Sequence, residues 1–206
     1  APQAEVLYNY GIFDFEERDF FWNFLRGRMR YSMAARRPAD DIGQYLAEGR
    51  QVDVQILELA PPQRVALRDF LAWNARPENA QYRYDYFLSN CSTKVRDALD
   101  SALGGALRAA SFGRSRGYTG RMHALRLTSP DAVVFLGVHA GLGPSTDRAM
   151  DFWAEMFIPM EVARRLREIG VRDDAGSELP LVSREFTINA GRVVEPLAAP
   201  DWRWRF

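Results

Sequence analysis

The apolar residues of this chain come in short blocks whose period changes along the sequence, and that restricts the fold class more than any other feature. Gln51 to Leu59 alternates polar and apolar side chains, the pattern of a half-buried strand. Glu5 to Gly11, Arg28 to Ala35 and Pro180 to Asn189 are also rich in β-formers and read as strands. Helical blocks stand between them. Pro61-Pro62 opens a helix predicted to end near Asn74, because proline suits the first helical turn. Val65, Leu67, Phe70, Leu71 and Trp73 supply its apolar face. Asp40 to Glu48 is a shorter helix closed by Gly49, and Arg18 to Arg26 another, stopped by Gly27. A longer helical pattern runs from Cys91 to about Leu107, weakened by Gly104-Gly105. Asp147 to Ile169 reads as a helical stretch interrupted at Pro159. Arg76 to Gln81 is a polar connector, Tyr82 to Ser89 is aromatic and extended, and Ser111 to Gly120 is a loop. Met122 to Leu127 and Ala132 to Val138 are apolar elements of either type. The mixture predicts an α+β domain.

At 206 residues, 47% of them hydrophobic, the chain suits one domain with a substantial core. Lys and Arg number 27, as do Asp and Glu, so the net charge is zero and no general nucleic-acid partner is expected. One cysteine permits neither an internal disulfide nor a cysteine-rich zinc site, and two histidines, His123 and His139, leave a metal site unexpected. Gly137, Gly141 and Gly143 do not match a dinucleotide fingerprint, and no cofactor is expected. No apolar run approaches the roughly 18 residues that a membrane span requires. The sequence starts at Ala1 and ends in Asp201-Trp202-Arg203-Trp204-Arg205-Phe206. That end has the aromatic and cationic character of bilayer interfaces, so the native chain is expected to continue into a membrane segment.

Cys91 is the residue with the clearest chemical position. Asn90 before it is a favoured N-cap, and Ser92, Thr93 and Lys94 complete a first helical turn. Unpaired amides and the helix dipole favour a thiolate there, Lys94 adds positive charge, and the same amides suit an oxyanion. An inert buried thiol is the competing reading, since free cysteine is among the most buried residue types. Three polar followers make a poor setting for one.

Tyr8-Asn9-Tyr10-Gly11-Ile12-Phe13-Asp14-Phe15 and Tyr84-Asp85-Tyr86-Phe87-Leu88-Ser89-Asn90-Cys91-Ser92-Thr93-Lys94-Val95-Arg96-Asp97 together resemble the Lnb N-terminal periplasmic domain family. Gly141-Leu142-Gly143-Pro144-Ser145-Thr146-Asp147-Arg148 and Glu155-Met156-Phe157-Ile158-Pro159 add to the likeness, which runs from about Val6 to Val182. The resemblance implies a papain-like fold of the permuted NlpC type, with a small antiparallel sheet, a nucleophile helix starting at Cys91 and additional helices. Residues 1–206 are then a single periplasmic domain. Lecithin:retinol acyltransferase-like proteins share the asparagine-cysteine helix start. The family likeness further implies thiol-dependent N-acylation of bacterial lipoproteins, with a phospholipid as acyl donor, at the inner membrane of the bacterial envelope. The family's usual histidine lies on a strand just before the YNYG motif, ahead of Ala1, so a chain limited to these residues is expected to be inactive.

The expected catalytic group is therefore Cys91 with Asn90, and Asn9 as the candidate to orient that histidine; Asn9 also reads as an ordinary strand residue. Tyr84, Tyr86 and Tyr10 are expected to line the cleft, although alternating aromatics also suit a core. Asp14, Arg96, Asp97 and Asp147 are expected to be structural. His123 and His139 match no family position and read as structural or surface residues. Two alternatives stand beside acyl transfer: a cysteine peptidase or amidase acting on peptide or cell-wall substrates, and a non-catalytic envelope binding module.

Overall fold

A computed structural model of the chain describes residues 5–12, 29–172 and 176–192. The first half carries β1 (Leu7–Ile12), β2 (Arg30–Arg36), α1 (Pro38–Ala47), β3 (Val52–Leu57), α2 (Pro61–Asn74), α3 (Pro77–Ala80) and β4 (Gln81–Arg83). The second carries α4 (Cys91–Ala102), α5 (Ala106–Ser111), α6 (Gly120–Thr128), α7 (Ala132–Gly141), a 3-10 turn at Pro144–Asp147, α8 (Phe152–Glu155), α9 (Pro159–Leu166), β5 (Gly170–Arg172), β6 (Glu178–Pro180) and β7 (Val182–Asn189). The strands form three antiparallel sheets, ordered β1-β2-β4, β3-β7 and β5-β6. The α+β class follows. The helix expected over Arg18 to Arg26, Asp14, and the Trp202 to Phe206 terminus lie outside the described residues.

Local sequence rules explain where most elements start and stop. Prolines occupy the first turns of α1, α2, α3 and α9, where a missing N–H costs nothing. Gly104 and Gly105 both take positive φ, 64° and 87°, and split the predicted Cys91 to Leu107 helix into α4 and α5. The block from Asp147 to Ile169 is likewise broken. Asp151 caps α8 by accepting from the Ala154 N–H at 2.8 Å, and α9 starts afresh at Pro159. The expected extended run Tyr82 to Ser89 keeps its strand only to Arg83. Beyond it, Asp85 accepts the N–H groups of Phe87 and Leu88 at 2.9 and 2.8 Å and curls the chain. The two elements of undecided type, around Met122 and Ala132, are both helices.

The main core lies where α4 and α5 meet α9 and the strands beyond it. Leu99, Leu103 and Leu107 pack with Met156, Val162, Leu166 and Leu181. The predicted apolar face of α2 is not buried. Val65 is 46% exposed and Trp73 48%, and only Leu67 packs against the core. Among the described residues no helix is long and apolar enough to cross a membrane.

Candidate active site

Three elements meet at Cys91: the tip of α4, the end of β1 and the turn that follows β4. Asn90 fixes the first of these. Its side-chain oxygen accepts from the Thr93 N–H at 2.9 Å, and Thr93 Oγ1 accepts from the Asn90 N–H at 2.8 Å, closing a reciprocal cap. Its amide nitrogen donates to the carbonyls of Tyr86 at 2.9 Å and Phe157 at 2.8 Å. Ser92 Oγ adds a bond to the Met156 carbonyl at 2.9 Å. The helix tip is thus tied both to the preceding turn and to the segment before α9, and Asn90 is fully engaged in holding it.

Cys91 itself is exposed. Asn90 and Thr93 cap each other's N–H groups, and the Lys94 N–H donates to the Asn90 carbonyl. The amides of Cys91 and Ser92 are left to face the sulfur and favour its thiolate, as does the Arg50 guanidinium. Burial works against them and is the larger effect, so the thiol pKa lies above its ordinary value. The sequence-based expectation of a net lowering is therefore corrected. The relevant cation is also not Lys94, whose Nζ instead sits 5.0 Å from the centre of the Tyr82 ring.

β1 approaches the sulfur through a bulge. Its register with β2 slips between Tyr10 and Ile12, and Gly11, the extra residue, has φ of 117°. A methyl group at Gly11 would lie 3.3 Å from Cys91 Cβ and 4.0 Å from Sγ. Glycine is required here twice, by conformation and by close approach. One turn of strand earlier, Asn9 donates to Asp41 at 2.6 Å. Asp41 is buried and also pairs with Arg36 at 3.2 Å. Asn9 is thereby held by α1 through Asp41, a partner that its sequence context gave no reason to single out.

The tyrosines divide into two groups. Tyr31 and Tyr84 stack at 4.1 Å, and Tyr82 meets Tyr31 edge-on at 6.3 Å. Burial holds all three phenols above their usual range, and the proximity of the Cys91 thiolate pushes further the same way. They are the protonated aromatic wall of the site. Tyr31 belongs to it by pairing of β2 with β4, which the sequence did not indicate. Tyr10 is buried instead, donates to Asn74 at 2.6 Å, and is pushed up to about 12 by burial. It faces a cavity of about 240 Å³ with Phe70, Trp73, Tyr82 and Lys94. Tyr86 is 44% exposed and packs on Phe87 and Phe157.

The remaining candidates lie away from the sulfur. Arg96 bonds Asp97 at 2.7 Å and the Trp153 carbonyl at 3.0 Å, with its guanidinium over the Trp153 ring. Asp147 accepts from Arg121 at 2.6 Å, which holds its carboxyl below the usual range. His123 is fully buried, accepts from Arg126 on Nδ1 at 3.1 Å, and has Nε2 3.4 Å from Glu155. His139 is on α7 and stacks on Phe135. Among the described residues no group of three or more His, Cys, Asp or Glu side chains could hold a metal ion.

Residues 2–127 match the family model described as the Lnb N-terminal periplasmic domain, well over half of the chain. The chain belongs to that family. No curated protein and no solved structure matches it. The Lnb match includes β1, the tyrosine wall and all of α4, while the Met156 and Phe157 carbonyls that tether the helix tip lie beyond it. The family is a periplasmic one, which fits an envelope location.

Proposed function

We propose that this Lnb domain works as a thiol-dependent acyltransferase at the periplasmic face of the inner membrane, N-acylating lipoproteins from a phospholipid donor. The frame is read as papain-like of the permuted NlpC type, with a cysteine helix facing an early strand. The observation that carries the reading is an exposed cysteine at the first position of a doubly tethered helix, pressed against a glycine bulge.

Chemistry follows from that geometry. A general base takes the Cys91 proton and Sγ attacks the donor's ester carbonyl; the oxyanion that forms meets the Cys91 and Ser92 N–H groups. The ester C–O bond breaks as the C–S bond stays, and the leaving alkoxide takes the proton back as a lysolipid alcohol. The lipoprotein amine then attacks the thioester, C–N replaces C–S, and the amine's proton passes through the base to the departing sulfur. With its pKa raised, the thiol is protonated at neutral pH and needs that base. The family resemblance implies that this base is a histidine on the strand ahead of the YNYG motif; His123 is sealed in the interior. In this reading Asn90, bonded to the Phe157 carbonyl, acts as a positioning residue, and Asn9, anchored on Asp41, is assigned the orienting of the imidazole.

The test uses the full-length gene product with phospholipid and a diacylated lipoprotein. Cys91→Ala is expected to abolish both the added acyl chain and a hydroxylamine-sensitive acyl-enzyme, and an unchanged product would sink the proposal. Cleavage of peptidoglycan fragments by the unmutated protein, without acyl gain on the lipoprotein, would assign hydrolysis instead.

A further inference from the structure

The cavity that Tyr10 faces, about 240 Å³, has no part in the chemistry at the sulfur. Lys94, three residues beyond Cys91 on α4, belongs to its lining, and so does Tyr82 of the tyrosine wall. The volume falls short of the roughly 300–1,000 Å³ typical of sites for drug-sized molecules, which suits a ligand of a single ring. Phe70 and Trp73 of α2 supply an exposed aromatic surface, with ring centres 6.0 Å apart and planes 34° apart.

Some polar groups of the lining are already engaged. Tyr10 donates to Asn74 at 2.6 Å, the Asn74 amide donates to the Asn79 carbonyl at 2.8 Å, and the Asn79 amide to the Trp73 carbonyl at 3.0 Å. This chain of bonds ties α2 to α3 and fixes the aromatic pair in place.

Other polar groups are open. The exposed Gln81 amide makes no side-chain hydrogen bond among the described residues. The ammonium of Lys94, the chain's one lysine, meets only the Tyr82 ring. Arg96 directs two N–H groups at one oxygen of Asp97, at 2.8 and 2.7 Å, and leaves the other open. The Tyr82 phenol oxygen is buried without a partner among the described residues, an orphan of the kind that a bound water or ligand completes.

Opposite charges three residues apart on one helix disfavour an ionic ligand. An anion on Lys94 meets the open oxygen of Asp97, and a cation on Asp97 meets Lys94. A wholly apolar ligand would leave Gln81, Lys94 and Asp97 desolvated and unpaired. The aromatic pair, in turn, calls for an apolar face. A pyranose meets both demands: its axial C–H bonds make an apolar face, and each hydroxyl on its edge both donates and accepts.

We propose that this cavity binds a neutral pyranose ring, with one face on Trp73 and Phe70 and its hydroxyls on Gln81, Lys94 and Asp97. The site does not require a reactive Cys91, so it stands apart from the acyl-transfer reading.

Nuclear magnetic resonance titration of the isotope-labelled chain with methyl β-glucopyranoside, an all-equatorial ring, tests this. The Trp73 indole N–H and the Gln81 side-chain amide should shift along one saturable curve, in Cys91→Ala as in the parent. Trp73→Ala should weaken binding roughly tenfold or more, and Gln81→Ala about fivefold. Both side chains are exposed, so both variants should keep the parent's circular dichroism spectrum. Glycerol has hydroxyls without a ring face, and benzoate and benzylammonium have a ring with a charge. Each should bind roughly tenfold or more weakly than the glucoside. Absence of a saturable site, equal affinity for any of these three, or indifference to either substitution overturns the proposal. Saturable glucoside binding in a protein without acyl transfer would support the cavity alone, and acyl transfer without glucoside binding would refute the cavity alone.

Discussion

At Cys91 two electrostatic effects oppose each other on one sulfur. Amide N–H groups and Arg50 stabilise the thiolate, while the crowding of protein around it destabilises that form more. The reactive species is the thiolate, so a raised pKa moves reactivity to higher pH. Alkylation of this chain by iodoacetamide is therefore expected to rise with pH around a midpoint above that of a free cysteine, about 8.5. A midpoint below that value would mean that the helix tip outweighs burial. Residue identity made Cys91 and its Asn90 cap legible from sequence, because both depend on neighbours one to three positions away. Arg50, Gly11 and Asp41 were not legible as site residues. Each acts across the fold, and no local pattern records which distant atom it meets.

Among the elements, α4 depends most on a single side chain. Asn90 caps the helix and tethers it to Tyr86 and Phe157. Asn90→Ala removes all three bonds and is expected to cost roughly 3 kcal/mol or more, a cap loss plus two carbonyls left unpaired. Asn90→Asp keeps the capping oxygen and loses the two donors, so its cost should be similar in kind but smaller on the helix itself. Urea unfolding of both variants, followed with Cys91 alkylation as a local reporter, checks this. An Asn90→Ala midpoint equal to that of the parent would show the tethers to be idle. The element boundaries at α1, α2 and α9 were readable because proline and glycine act locally. The burial of α2 was not, since an apolar stripe shows what a helix can hide but not whether anything covers it.

For the molecule as a whole, a buried ionic cluster joins α6, α8 and α9. Glu155 and Glu161 are both about 1% exposed. Arg116 reaches both, at 2.9 and 2.6 Å, and Arg164 and Arg126 approach Glu161 at 3.2 and 3.6 Å. Glu161→Ala leaves these cations facing a buried gap and is expected to cost roughly 3–5 kcal/mol. Glu161→Met, which fills the space, should cost less. Thermal or urea unfolding of the pair distinguishes them, and equal stability of Glu161→Ala and the parent would show that water already screens the cluster. Glu155 opens one of the family-like blocks, but nothing in the sequence pointed to a buried ionic cluster, because charged side chains at helical spacing look like an ordinary solvated face.

By itself the sequence determined the α+β class, most strand and helix positions, the membership signalled by the YNYG and NC blocks, and the placing of a lone cysteine at a helix start. These are local properties, governed by side-chain period, capping and backbone freedom. The tertiary structure decided which residues surround the sulfur, the sign of its pKa shift, and the joining of α2, β4 and α4 around the Trp73 cavity. Those depend on desolvation and on distances between segments far apart in the chain, and neither quantity exists until the chain has folded.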